Sequence, residues 1–400
     1  MRAGAEARLL ENPTLGPVAL DRLQGSWAGV IGAGTLGAQL IPHFGLLQVG
    51  LSIVDAGRVE SENLGTQAFN SESVGRWKAE ARAHQVAALN PDCAVRALNQ
   101  PIERLGLAAL ADCDVLLTGL DSRVSRLRVS EIARELGIVW IDAALDGSGA
   151  QLFGTVSVYD PRHPDAACAA CPYDPEELAR IASEGRGPGC PSWRDPDVPL
   201  TAPTLQTSAF AAVVAGHQAI WALQVLLGRG GELGNQRLLI EAGGSSRVRC
   251  VRLERNPSCP SHQLPLTPLR LAAGERIGDL LRHAERDLGG EADGLVFHHR
   301  SIVRGLWCPD CGARRDRVRM NDAYTDAEIR CDCGAPTPME PSDLKDRLSR
   351  SEAAELAHAR WDEIGVPETD VVSVTRGERR AHYIVNRPAT SGGGARWEAP

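Results

Sequence analysis

Short apolar runs alternate with segments of helical periodicity along the first part of the chain. The strand-like runs are SWAGVI at 26–31, LSIVD, CAVRALN, DVLLTGLD and IVWIDAA. The helix-like segments between them are AQLIPHFGLLQVG, WKAEARAHQVAALN and RVSRLRVSEIARELG. Strands that alternate with helices in this order predict a parallel sheet with helices on both faces.

The pattern changes after this alternation. QLFGTVSVYD predicts an antiparallel strand, and a stretch rich in Pro, Gly and Asp from about 161 to 203 has no regular period. A helix is predicted from about 207 to 228, and strands near 236–254 complete a first domain of residues 1–265. The predicted fold class is α/β, with a Rossmann-like doubly wound mixed sheet of about eight strands that is parallel in its first half.

The remaining residues differ in composition. Residues 266–305 are expected to form a linker with an amphipathic helix, GERIGDLLRHAERDLG, and residues 306–387 a small domain that contains close cysteine pairs. A last helical stretch is predicted near 341–363. The Gly/Ser-rich residues 388–400 are expected to be a disordered tail.

Composition and charge exclude some classes of protein. The formal net charge of -8 and the pI near 5.7 give no overall basic surface for nucleic acid. No apolar run approaches the roughly 20 residues that span a bilayer, and the first residues lack the apolar stretch of a signal peptide. A cytoplasmic protein is therefore expected.

A glycine-rich turn follows the first predicted strand. Gly32, Gly34 and Gly37 form Gly-x-Gly-x-x-Gly, in which the missing side chains let backbone amides and a helix N-terminus approach phosphate. Asp55 ends the next strand, where it can accept a hydrogen bond from a ribose hydroxyl. Alone, the motif favours a nicotinamide or flavin dinucleotide over ATP. No Gly-Lys-Ser/Thr follows, so a lysine for phosphates must come from elsewhere in the chain.

Such a lysine is Lys78 in the segment VGRWKA, and the polar pair Asn63 and Gln67 lies between it and Asp55. The stretch VDAGRVESENLGTQAFNSESVGRWKAEARAHQVAALNP resembles the ThiF/MoeB/HesA family of ubiquitin-activating-enzyme-like adenylyltransferases. In that family a strand-end Asp, Asn-Leu-x-Arg-Gln, Gly-x-x-Lys and Asn-Pro occur in this order. DVLLTGLDSRVSRLRVSEIA is similar to the family's strand that ends in Asp and precedes a helix with an Arg. The resemblance covers residues 25–265, about 60% of the chain.

The resemblance implies a role for each matching residue. Asp55 would hold the ribose of ATP. Asn63 and Lys78 would bind the triphosphate, with Gln67 beside them in the nucleotide site. Asp121 would hold the Mg²⁺ that neutralises charge while a carboxylate attacks the α-phosphate, and this chemistry depends on positioning and electrostatics rather than on a protein nucleophile. Each residue alone has a structural alternative: Asn63 as a turn cap, Lys78 as a solvated helix residue and Asp121 as a helix N-cap.

Two further positions bear on this assignment. The resemblance implies that Arg126 orients the site or the incoming C-terminal tail. Where the family has Arg between Leu and Gln, this chain has Thr66, so one cationic phosphate contact is missing. Arg58 and Arg76 lie near enough in sequence to replace it.

The resemblance also implies a structural zinc site. Cys168 and Cys171 form the pair CAAC, which in the family is followed by a second cysteine pair after the late strands. The equivalent place here is NPSCPSH, so Cys259 and His262 are the implied partners. Three thiolates and one imidazole satisfy tetrahedral Zn²⁺, and a closed shell of four leaves no position for a catalytic water.

Four more cysteines predict a small zinc ribbon in the C-terminal extension: Cys308, Cys311, Cys331 and Cys333. WCPDCG is a Cys-Pro-x-Cys-Gly zinc knuckle, while the second half, RCDCG, is one residue shorter than usual. The alternative is a loop with reduced cysteines. Ribbons commonly bind proteins or nucleic acid, and the run ARRDRVRM between the pairs supplies positive charge for either.

The expected reaction is ATP-dependent adenylation of the C-terminal carboxylate of a ubiquitin-like or sulfur-carrier protein by a homodimer, with ATP, Mg²⁺ and Zn²⁺ as cofactors. Cys190, in GPGCPSW, lies where thioester-forming relatives carry their nucleophile, and it is equally well an incidental loop cysteine. Two alternatives stay open: an NAD(P)-dependent oxidoreductase, which the glycine turn and Asp55 alone support, and an inactive adaptor of the same fold, which Thr66 favours. No membrane partner is expected.

Overall fold

The computed structural model describes residues 16–146, 152–184, 208–242, 246–262, 265–272, 274–325 and 327–387. The chain divides into two compact units. The first comprises Met1–Glu103, Cys113–Ala179 and Pro199–Pro265. The second comprises Arg104–Asp112, Arg180–Val198 and Leu266–Pro400.

Helices and strands alternate through residues 16–159, as the sequence predicts, and strands end the first unit. In chain order the elements up to residue 252 are α1 (Gly16–Gln24), β1 (Trp27–Ile31), α2 (Thr35–Leu46), β2 (Gly50–Val54), α3 (Lys78–Leu89), β3 (Val95–Leu98), β4 (Val115–Thr118), α4 (Arg123–Leu136), β5 (Val139–Asp146), β6 (Leu152–Tyr159), α5 (Pro175–Glu184), α6 (Ser208–Leu226), β7 (Gln236–Ala242) and β8 (Arg247–Arg252).

The eight strands form one sheet in the order β3-β2-β1-β4-β5-β6-β7-β8. Strands β1 to β5 are parallel to their neighbours, and β6, β7 and β8 are antiparallel. The prediction of a doubly wound mixed sheet, parallel in its first half, is therefore confirmed. The strand order reverses between β1 and β4, and sheets of this kind bind ligands outside the carboxyl ends of the strands at such a point.

Helix α6 is a long apolar helix that packs against the eight-stranded sheet. It has the length and composition of a membrane span, contrary to the expectation that no apolar run in the chain approaches that length. Half of its apolar window is buried within the fold, where Phe210, Val214 and Ala222 join the main core. Packing against the sheet thus accounts for its apolar inner side.

The stretch from 161 to 203, which the sequence predicts to be irregular, contains helix α5. The helix begins at Pro175, a favourable residue for a first helical position. Asp174 Oδ1 accepts a hydrogen bond from the backbone N–H of Glu177 at 2.7 Å, as an N-cap does. The helix is ten residues long and lies among Pro- and Gly-rich segments, so its period is easily missed.

The second unit contains two sheets. Its elements are β9 (Leu269–Leu271), α7 (Ile277–Leu288), β10 (Gly294–Phe297), β11 (Ile302–Trp307), β12 (Arg314–Met320), β13 (Glu340–Ser342), β14 (Arg347–Ser349), α8 (Arg350–Glu355), β15 (Asp370–Arg376) and β16 (Arg379–Val385). Five strands pair in the order β14-β10-β15-β16-β9, and three in the order β12-β11-β13. Helix α7 is the predicted amphipathic helix, and its buried residues include Ile277, Leu280 and Ala284.

Two features of this unit differ from the sequence-based picture. Residues 266–305 contain β9, β10 and the start of β11 besides the predicted helix. The helical stretch expected near 341–363 is wrong over most of its length, because only α8 is helical and β14 precedes it. Strand β14 is three residues long, which is too short to establish a period of two.

A short segment from within the first unit's sequence belongs to the second unit. The backbone N–H of Leu107 donates to Asp370 Oδ1 at 2.9 Å. Arg300, whose side chain is 1% exposed, donates from Nε to Asp370 Oδ2 at 3.0 Å and from Nη2 to Leu105 O at 2.9 Å. A buried, fully hydrogen-bonded ion pair therefore stabilises residues 104–112 in this position.

Candidate nucleotide site and metal centres

The glycine turn lies where the strand order reverses. Gly32 has φ of +100°, and a Cβ there would lie 2.8 Å from the carbonyl oxygen of Gly119, in the turn after β4. A Cβ at Gly37 would lie 2.3 Å from the carbonyl oxygen of Gly32. Both glycines are thus required for β1, β4 and α2 to approach one another closely.

Gly34 is different, because the fold leaves space around it. A Cβ at Gly34 would meet only the side-chain amide of Gln67, whose nearest atoms lie 3.8 to 3.9 Å away. Gln67 Oε1 is buried and has no hydrogen-bond partner among the described residues. The first N–H groups of α2 have no intrahelical acceptor, so this end of the helix is suited to an anion.

Asp55 ends β2 and stabilises the glycine turn. Its Oδ2 accepts a hydrogen bond from the N–H of Ala33 at 2.7 Å, and its Oδ1 accepts one from the N–H of Gly57 at 2.7 Å. The carboxylate therefore joins the turn after β1 to the loop after β2. Each carboxylate oxygen has a second lone pair, so a ribose hydroxyl can bind in addition to these amides.

Lys78 begins α3 and lies beside the same loop. Its backbone N–H donates to Gly57 O at 2.9 Å. Its Cδ and Cε lie 3.4 and 3.5 Å from the position that a Cβ on Gly57 would take, and Asp55 Oδ1 lies 3.1 Å from that position. The lysine side chain and the Asp55 carboxylate therefore share one neighbourhood, next to the glycine turn.

Asn63 has a local structural role in this structure. It ends a 3-10 helix, Ser61–Asn63, and its Oδ1 accepts a hydrogen bond from the N–H of Glu60 at 3.0 Å. The backbone carbonyl of Asn63 accepts from Gln67 N–H at 2.9 Å. The turn-cap alternative for Asn63 is thus realised, and its side-chain N–H₂ is the group that remains for a ligand.

Thr66 takes the place of an arginine in the family pattern, and Arg58 does not replace that arginine because its side chain is bound elsewhere. Thr66 is exposed. Arg58 donates from Nη1 to Gly75 O at 2.7 Å, and its guanidinium lies 3.9 Å from the ring centre of Trp77. Arg58 is therefore bound within the loop before α3, while Arg76 is exposed and has no side-chain partner among the described residues.

Asp121 lies in the turn after β4, against the glycine turn. The turn begins at Gly119, and Leu120 Cδ2 lies 3.5 Å from the Cβ position on Gly32. The N-cap of α4 is Ser122, whose Oγ accepts from the N–H of Ser125 at 3.3 Å. The helix-cap alternative for Asp121 is therefore wrong. Its exposed carboxylate has no partner among the described residues, and it is free for a cation.

Arg126 stabilises the turn that carries Asp121. Its Nη2 donates to Leu120 O, and its Nε lies 3.4 Å from Asp142 Oδ1. Asp142 is buried and accepts a hydrogen bond from Thr118 Oγ1 at 2.6 Å. Burial raises the pKa of Asp142, and Arg126 and Thr118 counteract that rise. The geometry makes Arg126 a positioning residue for this turn.

Sequence reasoning misses Arg82, which lies one helical turn after Lys78 on α3. The residue is 2% exposed. Its Nε donates to Ala33 O at 3.1 Å, and its Nη groups donate to Gln67 O and Ala68 O. The signal that points to it is the i+4 spacing from Lys78, which places both side chains on one face of the helix.

The structure therefore brings most of the predicted nucleotide-site residues to one place. The glycine turn contacts the turn that carries Asp121, and it is hydrogen-bonded to Asp55, which adjoins Lys78. Gln67 lies over Gly34 with an unpaired oxygen. This set of groups fits a nucleoside triphosphate with a divalent cation: the accessible backbone at Gly34, the unpaired Gln67 oxygen, Lys78 and the exposed Asp121 carboxylate.

The first cysteine group has the geometry of a closed metal site. Cys168 Sγ lies 3.6 Å from the sulfurs of both Cys171 and Cys259, and Cys171 Sγ lies 3.2 Å from His262 Nε2. All four ligand atoms lie within 4.8 Å of one another. Zn–S bonds of about 2.3 Å in a tetrahedron place sulfurs about 3.8 Å apart, so this set can hold Zn²⁺.

Neighbouring groups hold this cysteine loop in place. Asn235, which is 3% exposed and has φ of +63°, donates to Asp165 O at 2.7 Å and accepts from the N–H of Ala167 at 2.9 Å. The backbone N–H of Cys168 donates to Cys171 Sγ at 3.2 Å. The hydrogen bond from the Cys168 thiol lowers the pKa of Cys171, and the thiolate is the form that a metal binds.

The second cysteine group belongs to the three-stranded sheet and its turns. The sulfurs of Cys308 and Cys333 lie 3.8 Å apart, and those of Cys311 and Cys331 lie 3.6 Å apart. All four sulfurs lie within 4.8 Å of one another, so this set can hold a metal ion as well. The backbone N–H of Cys311 lowers the pKa of Cys308 to about 7.

The shorter spacing of the second pair is compatible with this geometry. Gly312 and Gly334 follow the two pairs with φ of +75° and +76°. Gly312 N–H donates to Cys308 O at 2.9 Å, and Gly334 N–H donates to Cys331 O at 3.1 Å. The second turn closes one residue earlier than the first, so a Cys-x-Cys pair still converges on the first pair.

The basic run beside these cysteines is less positive than the sequence suggests. Arg315 pairs with Asp332 at 3.0 Å. Arg317 and Arg319 both pair with Glu328, at 3.1 and 2.8 Å. These ion pairs neutralise much of the positive charge that the sequence offers for binding a protein or a nucleic acid. Cys190, the candidate nucleophile, lies outside the described residues.

The chain belongs to the ThiF family, whose match covers residues 7–261. It is 29% identical over 249 residues to a SAMP-activating enzyme E1 of Haloferax volcanii, which covers 62% of this chain and 83% of that protein. It is 31% identical over 137 residues to the adenylyltransferase and sulfurtransferase UBA4 of Eremothecium gossypii, which covers 33% of this chain and only 29% of that protein.

A solved structure of E. coli MccB with succinimide also resembles this chain. The TM-score is 0.47 and the sequence identity is 16%, over 60% of this chain and 68% of that chain. The family match ends at residue 261, so the residues from Leu266 onward that belong to the second unit lie outside it.

Proposed function

We propose that this protein catalyses the ATP-dependent adenylation of the C-terminal carboxylate of a ubiquitin-like or sulfur-carrier protein. The observation that carries the proposal is the proximity of Asp55, Lys78 and the turn of Asp121 to one glycine turn, in a chain that belongs to the ThiF family. Two relatives are named for SAMP activation and for adenylyl transfer, which supports this substrate class. Family membership also disfavours the oxidoreductase alternative.

In this reaction a carboxylate oxygen of the carrier attacks the α-phosphorus of ATP. The bond between that phosphorus and the bridging oxygen breaks, and pyrophosphate leaves with the electron pair. Lys78 and the N–H groups at Gly34 stabilise the negative charge of the phosphates, and Asp55 binds the ribose. Asp121 would hold Mg²⁺, which would neutralise part of the triphosphate charge.

Two structural zinc ions per chain are part of the proposal. Each cysteine group offers four ligand atoms, which fill a tetrahedral shell and leave no site for a catalytic water. Zinc in the first group ties the loop after β6 to the residues after β8. Zinc in the second group ties the two turns of the three-stranded sheet together.

We further propose that the protein acts as a cytoplasmic homodimer. Helices α2 and α6 pack together, and large apolar side chains remain exposed on them: Leu46 at 56%, Val213 at 49% and Ile220 at 54%. A second copy that packs on these two helices would remove the exposed apolar side chains from water. Sedimentation of the Ile220→Glu variant tests this, since a monomer is expected where the wild type is a dimer.

The reaction is tested by ATP–pyrophosphate exchange with a small carrier protein that ends in Gly-Gly. Exchange that depends on the carrier and on Mg²⁺ is expected, and its loss is expected in the Lys78→Ala and Asp121→Ala variants with folding intact. Persistent exchange in the Asp121→Ala variant would show that the assignment of the magnesium ligand is wrong. ATP binding without exchange by any carrier would instead favour the inactive adaptor.

The fate of the acyl group is tested separately with Cys190→Ala. If Cys190 forms a thioester, the variant retains adenylation and loses a reductant-sensitive adduct with the carrier. If the adduct persists, another thiol of the chain takes the acyl group.

A further inference from the structure

Arg82 is a buried arginine that contacts backbone on two sides of the nucleotide site. Its donors reach Ala33 O in the glycine turn and the carbonyls of Gln67 and Ala68. Its guanidinium also stacks 3.7 Å from the ring centre of Phe69. One planar side chain thus joins the glycine turn to the loop that carries Gln67.

These hydrogen bonds fix the orientation of the neighbouring peptide groups. In a trans peptide the C=O and the following N–H point in opposite directions. Because Ala33 C=O points at Arg82, the N–H of Gly34 points away from Arg82. For the same reason the N–H of Ala68 points away when Gln67 C=O faces the guanidinium.

Arg82 also holds a strained residue. Ala68 has φ of +50°, a conformation that costs about 1 kcal/mol or more for a residue with a side chain. Arg82 binds the carbonyls on both sides of the Ala68 nitrogen, and Gln85 Nε2 donates to Ala68 O at 3.0 Å. The strained loop is therefore fixed from helix α3.

The charge of Arg82 lies in a region of low solvent exposure. Burial lowers its pKa to about 10, and Asp55 counteracts that shift, so the guanidinium stays protonated at neutral pH. A positive charge that is shielded from water acts on a nearby phosphate more strongly than an exposed one. This chain has Thr66 where the family pattern has an arginine.

We propose that Arg82 is a positioning residue for the triphosphate: it presets the N–H groups of Gly34 and Ala68 and supplies buried positive charge behind them. The proposal rests on the nucleotide site of the proposed function. Arg82 itself does not contact the nucleotide, because its side chain is covered by the glycine turn and the loop at 67–69.

The proposal is tested by calorimetric binding of ATP, ADP, AMP and adenosine to the Arg82→Lys variant. Lysine keeps the charge and loses the planar fork, so the loss in affinity should grow with the number of phosphates. We expect at least about a tenfold loss for ATP and less than about twofold for adenosine. Equal losses for all four ligands, or no loss for ATP, would overturn the proposal.

Two further variants separate positioning from folding. Arg96→Lys is the matched control, because Arg96 also stacks on an aromatic ring, at 4.5 Å from Trp27, and binds Ser52 Oγ instead of the site. It should leave the ATP-to-adenosine ratio unchanged. Adding Ala68→Gly to Arg82→Lys should recover part of the ATP affinity, because glycine adopts positive φ without support.

The thermal midpoint of each variant is measured in parallel. No recovery in the double variant, or the same phosphate dependence in Arg96→Lys, counts against the proposal. If the wild type itself fails to bind ATP, the proposed function fails. If the wild type binds ATP and Arg82→Lys binds it equally well, only the role of Arg82 fails.

Discussion

The two cysteine groups have similar ligands but very different surroundings. The first lies in a unit whose sheet has a large core of its own, and its small apolar cluster consists of alanines and the three cysteines beside Leu127, Leu178 and Leu253. The second lies beside a three-stranded sheet. The cluster at the cysteine end of this sheet has six buried residues, two of which are the ligands Cys308 and Cys331, while Ile302 and Met320 at the other end join the larger core of the second unit. A metal ion therefore adds to a stable core in the first region and supplies much of the stability at the cysteine end of the sheet in the second.

The nucleotide site differs from both metal groups. Its residues are exposed or half-buried at the end of a sheet whose core does not include them: Asp55, Gln67, Lys78 and Asp121. Loss of the Lys78 or Asp121 side chain removes a ligand contact and leaves the core packing unchanged, whereas Asp55 also accepts hydrogen bonds from the glycine turn. One substitution in each of the three sites should therefore destabilise the fold to a different extent, most in the second cysteine group and least in the nucleotide site.

The largest structural effect is expected from Cys331→Ser in the second group. Zinc binding to small Cys-rich folds is worth about 10 kcal/mol or more, and the six-residue cluster at the cysteine end of the sheet cannot replace it. Amide hydrogen exchange should show loss of protection in β13 and in the cysteine ends of β11 and β12, with one zinc equivalent lost. Protection of these strands in the variant, or in the chelated wild type, would contradict the comparison.

A smaller effect is expected from Cys171→Ser in the first group. The loop after β6 should lose protection, while the eight-stranded sheet stays folded because its core is separate from the ligands. A loss of roughly 2 to 4 kcal/mol in unfolding free energy fits the removal of a metal from a stable unit. Denaturant unfolding measures it, and global unfolding of the variant would show that this zinc is as essential as the other.

The smallest effect on folding is expected from Lys78→Met, which should change the unfolding free energy by less than about 0.5 kcal/mol. It should nevertheless abolish ATP–pyrophosphate exchange, since the charge beside Asp55 is lost. Lys345→Met is the matched control: its ion pairs with Asp343 and Glu352 are only partly buried and belong to the second unit, and exchange should persist. Equal exchange in both variants would remove Lys78 from the site.

Much of the first unit follows from the sequence, and the reasons are local. Gly32 and Gly37 are needed for close backbone approach, so their spacing alone marks the turn. Cys and His are distinctive metal ligands, so the two ligand sets are visible as residue types. The prediction of the sheet is confirmed, and β1, β2, β4 and β5 are the easiest strands to predict because each is a separate apolar run.

The missed features depend on contacts that leave little or no pattern in the sequence. Arg82 binds Ala33 O across 49 positions, and its acceptors are backbone carbonyls, which every residue has. The segment 104–112 belongs to the second unit through Arg300 and Asp370, far away in sequence. Strand β14 is three residues long and is defined by its pairing with β10 rather than by its own composition.

The central claim is that the triphosphate binds at the glycine turn between Lys78 and Asp121. The most direct test is a crystal structure of the chain with Mg²⁺ and a non-hydrolysable ATP analogue. We expect phosphate oxygens on the N–H of Gly34 and on Lys78 Nζ, and a metal ion on the Asp121 carboxylate. A nucleotide bound in another cleft, or a phosphate chain with Lys78 and Asp121 both out of reach, would contradict the claim.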